Sequence, residues 1–183
     1  MSTGMQEVGF IEGFDLFSLS VEQAPTWFVL HTKSRQEKAV AADLESLRVP
    51  HFLPLVTQAR HYGRRKIHVA LPLFPGYLFV RGTKQQVYLA DRTKRLVSII
   101  PVSDQEQLNW ELKNLNLALS NNASLDPYPS LKAGTRVEVR SGPFRGLQGL
   151  IETHGQGDRL ILQVQMLGRG MSLEIEASLL DAI

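Results

Sequence analysis

Hydrophobic periodicity changes character once along this chain, at "SNNASLDPYPS" (Ser120–Ser130). Before that stretch, apolar residues switch between a period of two and a period near 3.6, the pattern of strands alternating with helices. After it only the period of two remains, cut by glycine-bearing turns. The stretch itself has no apolar period and is rich in Asn, Pro and Ser, which predicts a linker. A chain of 183 residues divided there makes two small domains, each needing its own core.

The first domain is expected over residues 25–119. "TWFVLHT" (Thr26–Thr32) is aromatic and β-branched and predicts a strand. Ser34 and Glu37 read as a capping box, and Val40, Leu44 and Leu47 as one face of the helix that follows. Residues 51–73 read as a long irregular hairpin with its tip at Gly63, "GYLFVRG" as a strand, "TKQQVYLADRT" as a short helix and "RLVSIIPV" as another strand. A second capping box, Ser103 and Glu106, opens a helix lined by Leu108, Leu112, Leu115 and Leu119. The order β-α-β-β-α-β-α implies an α+β sandwich, its antiparallel or mixed sheet covered mainly on one face. Residues 1–24 read as a flexible N-terminal extension, with a short helix around Phe14–Ser20. In residues 131–183, Val137 and Val139 alternate, as do Leu160, Leu162, Val164 and Met166. Five short strands there predict a small barrel, since closure removes exposed edges.

Charge is distributed unevenly. Residues 1–24 hold four acids and no base, residues 25–120 fourteen Lys/Arg against seven Asp/Glu, residues 121–130 one acid, and residues 131–183 six of each. The net +2 therefore hides a middle segment at +7. No acid occurs from Ser46 to Ala90, a stretch that carries Arg48, Arg60, Arg64, Arg65, Lys66, Arg81 and Lys84. A surface kept only for solubility mixes its signs, so this one predicts a polyanion partner, nucleic acid. The absence of cysteine excludes disulfides, thiol chemistry and Cys-type zinc sites. No secretory signal and no membrane-length apolar run is present, so a cytoplasmic monomer with no membrane partner is expected.

No phosphate-binding loop, dinucleotide fingerprint, nucleophile elbow or zinc-protease helix occurs, which disfavours an enzyme and implies no cofactor. His31, His51, His61, His68 and His154 are scattered, and His61 and His68 could face each other across the hairpin without making a convincing metal site.

"LPLFPGYLFV" (Leu71–Val80) is apolar, aromatic and interrupted by Pro72 and Pro75. Beyond Gly76 its side chains alternate. Leu78 and Val80 are assigned to the helix-covered core. Tyr77 and Phe79 are then expected on the opposite face, at least partly open, with Phe74 at the rim, unless the hairpin or residues 1–24 fold over them.

Several of these stretches together resemble the NusG family of transcription elongation factors. "WFVLHTKSRQEKAV" and "PLFPGYLFV" are similar to its N-terminal NGN domain; "AGTRVEVRSGPFRGLQGLIET" with "LQVQMLGRGMSLEI" is similar to its C-terminal KOW domain, an SH3-like barrel. Together they cover roughly residues 26–183. The "PLFPGYLFV" segment and the "GRRK" hairpin tip look closer to RfaH-like paralogues than to housekeeping NusG. The resemblance implies a factor whose N-domain docks on the clamp helices of the RNA polymerase β′ subunit, contacts non-template DNA or nascent RNA, and suppresses pausing or termination. It implies a polymerase patch of Phe74, Tyr77, Phe79, His31 and Val29. It implies nucleic-acid contacts at Lys33, Arg35, Arg64, Arg65, Lys66, Lys94 and Arg95. It also implies a KOW partner surface of Phe144, Met166, Leu167 and Arg169, which in the family meets Rho or a small-subunit ribosomal protein. Two departures bear on this. Leu167 stands where many members carry Phe before Gly-Arg, and no His-Thr-Thr element for the β subunit occurs near Tyr88–Asp91. The competing reading is a KOW-bearing RNA-binding or ribosome-associated protein, which would stack bases on exposed sheet aromatics.

Overall fold

The computed structural model describes Leu16 and Phe17, residues 25–128, residues 134–154 and residues 157–183. Apart from Leu16 and Phe17, which form a turn, the extension and helix expected in residues 1–24 lie outside the described residues. The chain divides into two compact units, 1–106 and 107–183.

In the first unit, β1 (Thr26–Thr32), β2 (His51–Phe52), β5 (Tyr77–Gly82) and β6 (Leu96–Pro101) form an antiparallel sheet in the order β2-β5-β1-β6. Helices α1 (Glu37–Ser46) and α2 (Lys84–Asp91) cover one face of it. The core on that side joins Phe28, Leu30, Leu78 and Val80 from the strands to Val40 and Leu44 of α1 and Val87 and Ala90 of α2. The strand parity read for Leu78 and Val80 holds. Leu47 does not belong to the core: α1 has ended by then, and the side chain is 42% exposed.

The start of α1 also differs from expectation. Its N-cap is Gln36, with no capping side chain, and the carboxylate of Glu37 turns away to accept a hydrogen bond from Gly76 N at 2.6 Å. A tertiary donor has outcompeted the local box. The box that does form, Thr83 with Gln86, opens α2.

The hairpin is regular where irregularity was expected. β3 (Leu55–Tyr62) and β4 (Arg65–Pro72) pair without a break and turn at Gly63, whose φ of 60° suits glycine. They form a two-stranded ribbon of their own.

The last helix, α3 (Gln105–Ser120), groups almost entirely with the second unit. None of its leucines joins the core beneath α1 and α2, although that was expected of Leu108, Leu112, Leu115 and Leu119. The reason is visible on its polar stripe. Trp110 Nε1 donates to Gln148 Oε1 at 2.7 Å, Asn114 Oδ1 accepts from Gln148 N at 2.7 Å, and the Glu111 carboxylate accepts from Gln165 N at 3.1 Å. The Arg136 guanidinium stacks over the Trp110 ring, 4.5 Å from its centroid. The remaining elements are β8 (Arg136–Val139), β9 (Gln148–His154), β10 (Gly157–Val164), β11 (Arg169–Ile175) and β12 (Leu180–Ala182), the five strands expected. A sixth, β7 (Asp126–Tyr128), arises inside the expected linker and pairs with β11, so the order is β12-β8-β9-β10-β11-β7. Val137, Val139, Leu160, Leu162 and Val164 are buried as read; Met166 is in a 3-10 turn, 37% exposed.

Candidate functional site

One end of the first sheet gathers most of the residues singled out by sequence. β1 finishes there and β5 and β6 begin there, because His31 pairs with Tyr77 and Thr32 with Leu96. β2 runs toward the same end, and Leu73 N donates to Pro54 O at 2.8 Å, so the hairpin springs from it too. Backbone bonds tie the loops: Thr32 N to Gly76 O at 2.8 Å and Lys33 N to Arg95 O at 2.8 Å. Gly76 sits at φ 88°, a left-handed value that suits glycine at the entry to β5. The His31 and Tyr77 rings stack, centroids 4.8 Å apart and planes 14° from parallel, both half-buried.

Around this pair stand the cations. Lys33, Arg35 and Lys94 are exposed. Arg35 and Lys94 have φ of 61° and 55°, left-handed values that cost a side-chain-bearing residue about 1–2 kcal/mol each. Two such residues, both basic, on two loops joined by one backbone bond, make this a functional candidate. Arg95 is held instead: its Nε lies 3.2 Å from Asp43 Oδ2 and an Nη donates to Gln36 Oε1 at 2.7 Å. It positions the loop more than it offers a free charge. Arg92, exposed beside Lys94, belongs to the same cluster and was missed, though "DRTKR" carried the signal.

On the hairpin, register places Arg60, Tyr62, Arg65 and Ile67 on one face and His61, Lys66 and His68 on the other, with Arg64 in the turn. Tyr62 is 61% exposed and every residue from Thr57 to His68 is exposed. His61 faces Lys66, not His68. Among the described residues no metal-holding cluster is present. The basic ribbon and the basic loops project from the same sheet end, which makes a candidate nucleic-acid interface.

The aromatic patch needs correction. Phe79 is 0% exposed, and Phe74 and Val29 are equally enclosed. Phe74 meets Phe79 edge-on, Phe79 lies tilted against Phe52 on the neighbouring strand, and Val29 pairs with Phe79 from the other side, on the face opposite α1 and α2. That face is thus buried like the first, and only Tyr77 and His31 of the five expected residues remain accessible. Arg81, counted among the surface bases, is also buried. His51 is buried on the helix side, hydrogen-bonded through Nδ1 to Val49 O at 2.9 Å, and burial pushes its pKa below the ordinary value.

In the second unit, Met166, Leu167 and Arg169 share the turn between β10 and β11, with Met166 and Arg169 exposed. Phe144 is separate. It lines a cleft of about 480 Å³ with Val139, Asp158, Ile175, Glu176 and Leu179.

Residues 25–110 match the family model described as "Transcription termination factor nusG". Residues 25–110 form a NusG-family domain. Among curated relatives, the transcription termination/antitermination protein NusG of Borreliella burgdorferi is 22% identical, covering 86% of this chain and 98% of the relative. That of Deinococcus radiodurans is 26% identical, covering 83% and 96%. A solved structure of Thermotoga maritima NusG, concerning its domain interaction, covers 86% of this chain and 97% of that one at 22% identity, with a TM-score of 0.42. These likenesses support a transcription termination/antitermination factor. Among the described residues no helix is long and apolar enough to cross a membrane.

Proposed function

We propose that the chain acts in the cytoplasm as an elongation/antitermination factor that binds RNA polymerase through its first unit and holds the clamp closed on nucleic acid. The observation that carries this reading is the sheet end itself, where a stacked histidine–tyrosine pair sits among exposed bases on strained loops. The polymerase contact is assigned to Tyr77 and His31, against the β′ clamp helices. Phe74, Phe79 and Val29 support that edge from inside. Lys33, Arg35, Lys94 and the hairpin bases Arg64, Arg65 and Lys66 face the non-template strand or nascent RNA, while Arg95 braces the loop. Physically, a ligand that binds the closed clamp better than the open one shifts polymerase away from paused states. No bond is made or broken.

The turn Met166–Arg169 of the KOW unit is the contact for a further machine, brought to the polymerase at high effective concentration by its tether. Leu167 in place of the usual phenylalanine makes Rho or a ribosomal protein a weaker fit, and Phe144, turned into its own cleft, is not part of that contact.

The test is recovery of nuclease-treated core polymerase by the immobilised full chain. Wild type should retain polymerase, and Tyr77→Ala should lose at least about tenfold in affinity, about 1.4 kcal/mol. Equal retention by the two, or recovery of ribosomal particles alone, would contradict the reading.

A further inference from the structure

The sheet face opposite α1 and α2 carries Trp27, Val29, Phe52, Phe79 and Arg81. Two residues far upstream in the chain lie on it. The Phe17 ring meets Phe52 edge-on, centroids 5.7 Å apart at 85°, and lies 6.1 Å from Trp27. Leu16 is buried, and its backbone carbonyl accepts a hydrogen bond from Arg81 Nη1 at 2.8 Å. Arg81 Nε donates to Pro25 O at 3.3 Å, and the guanidinium carbon lies 5.6 Å from the centre of the Trp27 ring. The Arg81 side chain is 1% exposed.

A guanidinium in an aromatic interior carries a desolvation cost that a leucine or methionine of similar volume would not. What it adds is a pair of fixed donors aimed at main-chain oxygen. One anchors the entry to β1 at Pro25. The other captures a carbonyl of an incoming segment whatever its side chain, while the space between Trp27 and Phe52 selects that side chain by shape. Main-chain capture combined with a side-chain pocket is how peptide sites are built. Charge favours the same occupant: residues 1–24 hold four acids and no base, and residues 25–120 stand at +7.

We propose that the cleft between Trp27 and Phe52, with Arg81 as its carbonyl anchor, is a binding site for a short acidic Leu-Phe peptide, occupied here by Leu16–Phe17 of the same chain. The occupant is a ligand in cis, not a fixed part of the core. It leaves and returns while the sheet and its helix-covered side stay folded. The site stands independently of the polymerase reading.

The chain has no cysteine, so single thiols report opening cleanly. Leu16→Cys and Ala90→Cys are made separately in the full chain, Ala90 of α2 being buried in the core on the other face of the sheet. Labelling by a thiol reagent is followed with and without an excess of synthetic peptide 10–22. The proposal expects Leu16→Cys to react at least about tenfold faster than Ala90→Cys under native conditions, by local opening. It also expects the peptide to accelerate Leu16→Cys further by holding the vacated cleft, with no effect on Ala90→Cys. The same peptide with both Leu16 and Phe17 replaced by Ala should not accelerate it. Equal rates at the two positions would make Leu16 core and overturn the proposal. A fast rate indifferent to peptide would reduce the contact to fraying, and acceleration by the doubly substituted peptide would remove the Leu-Phe recognition; either overturns it.

Discussion

The imidazole of His31 and the ring of Tyr77 lie nearly parallel, 4.8 Å apart, on paired positions of β1 and β5. Their strand neighbours Val29 and Phe79 pair the same way but are fully buried. One two-residue step along the strands thus separates core from edge. Tyr77→Ala should cost about 1 kcal/mol, the scale of an aromatic contact at a half-buried site. Phe79→Ala should cost about 3–5 kcal/mol through lost burial and a cavity. Equilibrium denaturation of the two variants checks the contrast, and equal losses would refute the division.

Burial of His51 ties stability to pH. Its pKa is lowered from 6.5, first by desolvation, with the Val49 carbonyl and the Glu45 charge opposing. The unfolded state therefore binds the proton more readily. The stability contributed by neutral His51 is complete above pH 6.5 and is lost as pH falls below it. Melting curves from about pH 7.5 down to about pH 5.5 should fall for wild type more steeply than for His51→Gln, which does not titrate. Parallel curves would show that His51 is not the group responsible.

The strands and the alternation of Leu78 with Val80 were legible because period-two burial is written directly in the side chains. The helix-covered core was legible for the same reason at Val40 and Leu44. What failed was the other face. Trp27, Val29, Phe52 and Phe79 could as well have been a dock as a second core, since an apolar stripe does not say what covers it. Glu37 and Arg81 failed for a related reason. Each looks like a local cap or a surface charge until the fold brings a distant backbone group, Gly76 N or Leu16 O, within reach. The bases of the two loops were named through the family resemblance, but the left-handed backbone at Arg35 and Lys94 had no signature, because neither is glycine or asparagine.

Nucleic-acid binding should be electrostatic and shared among the loops. Lys33→Ala, Arg35→Ala and Lys94→Ala should each weaken single-stranded DNA binding and lower the slope of log affinity against log salt by about 0.7. Arg95→Ala should act through the loop it braces, lowering affinity with a smaller change of slope. Titrations of the full chain at several salt concentrations distinguish the two patterns. A slope unchanged by all four would take this sheet end out of the interface.

The central claim, that the His31–Tyr77 edge meets RNA polymerase, is tested most directly by a photo-crosslinking amino acid placed at Tyr77 of the full chain in transcribing cells. The account predicts a crosslink to the β′ subunit at its clamp helices, absent when the same group is placed at exposed Met166 of the second unit. A crosslink from position 77 to ribosomal protein or RNA, with none to β′, would contradict it.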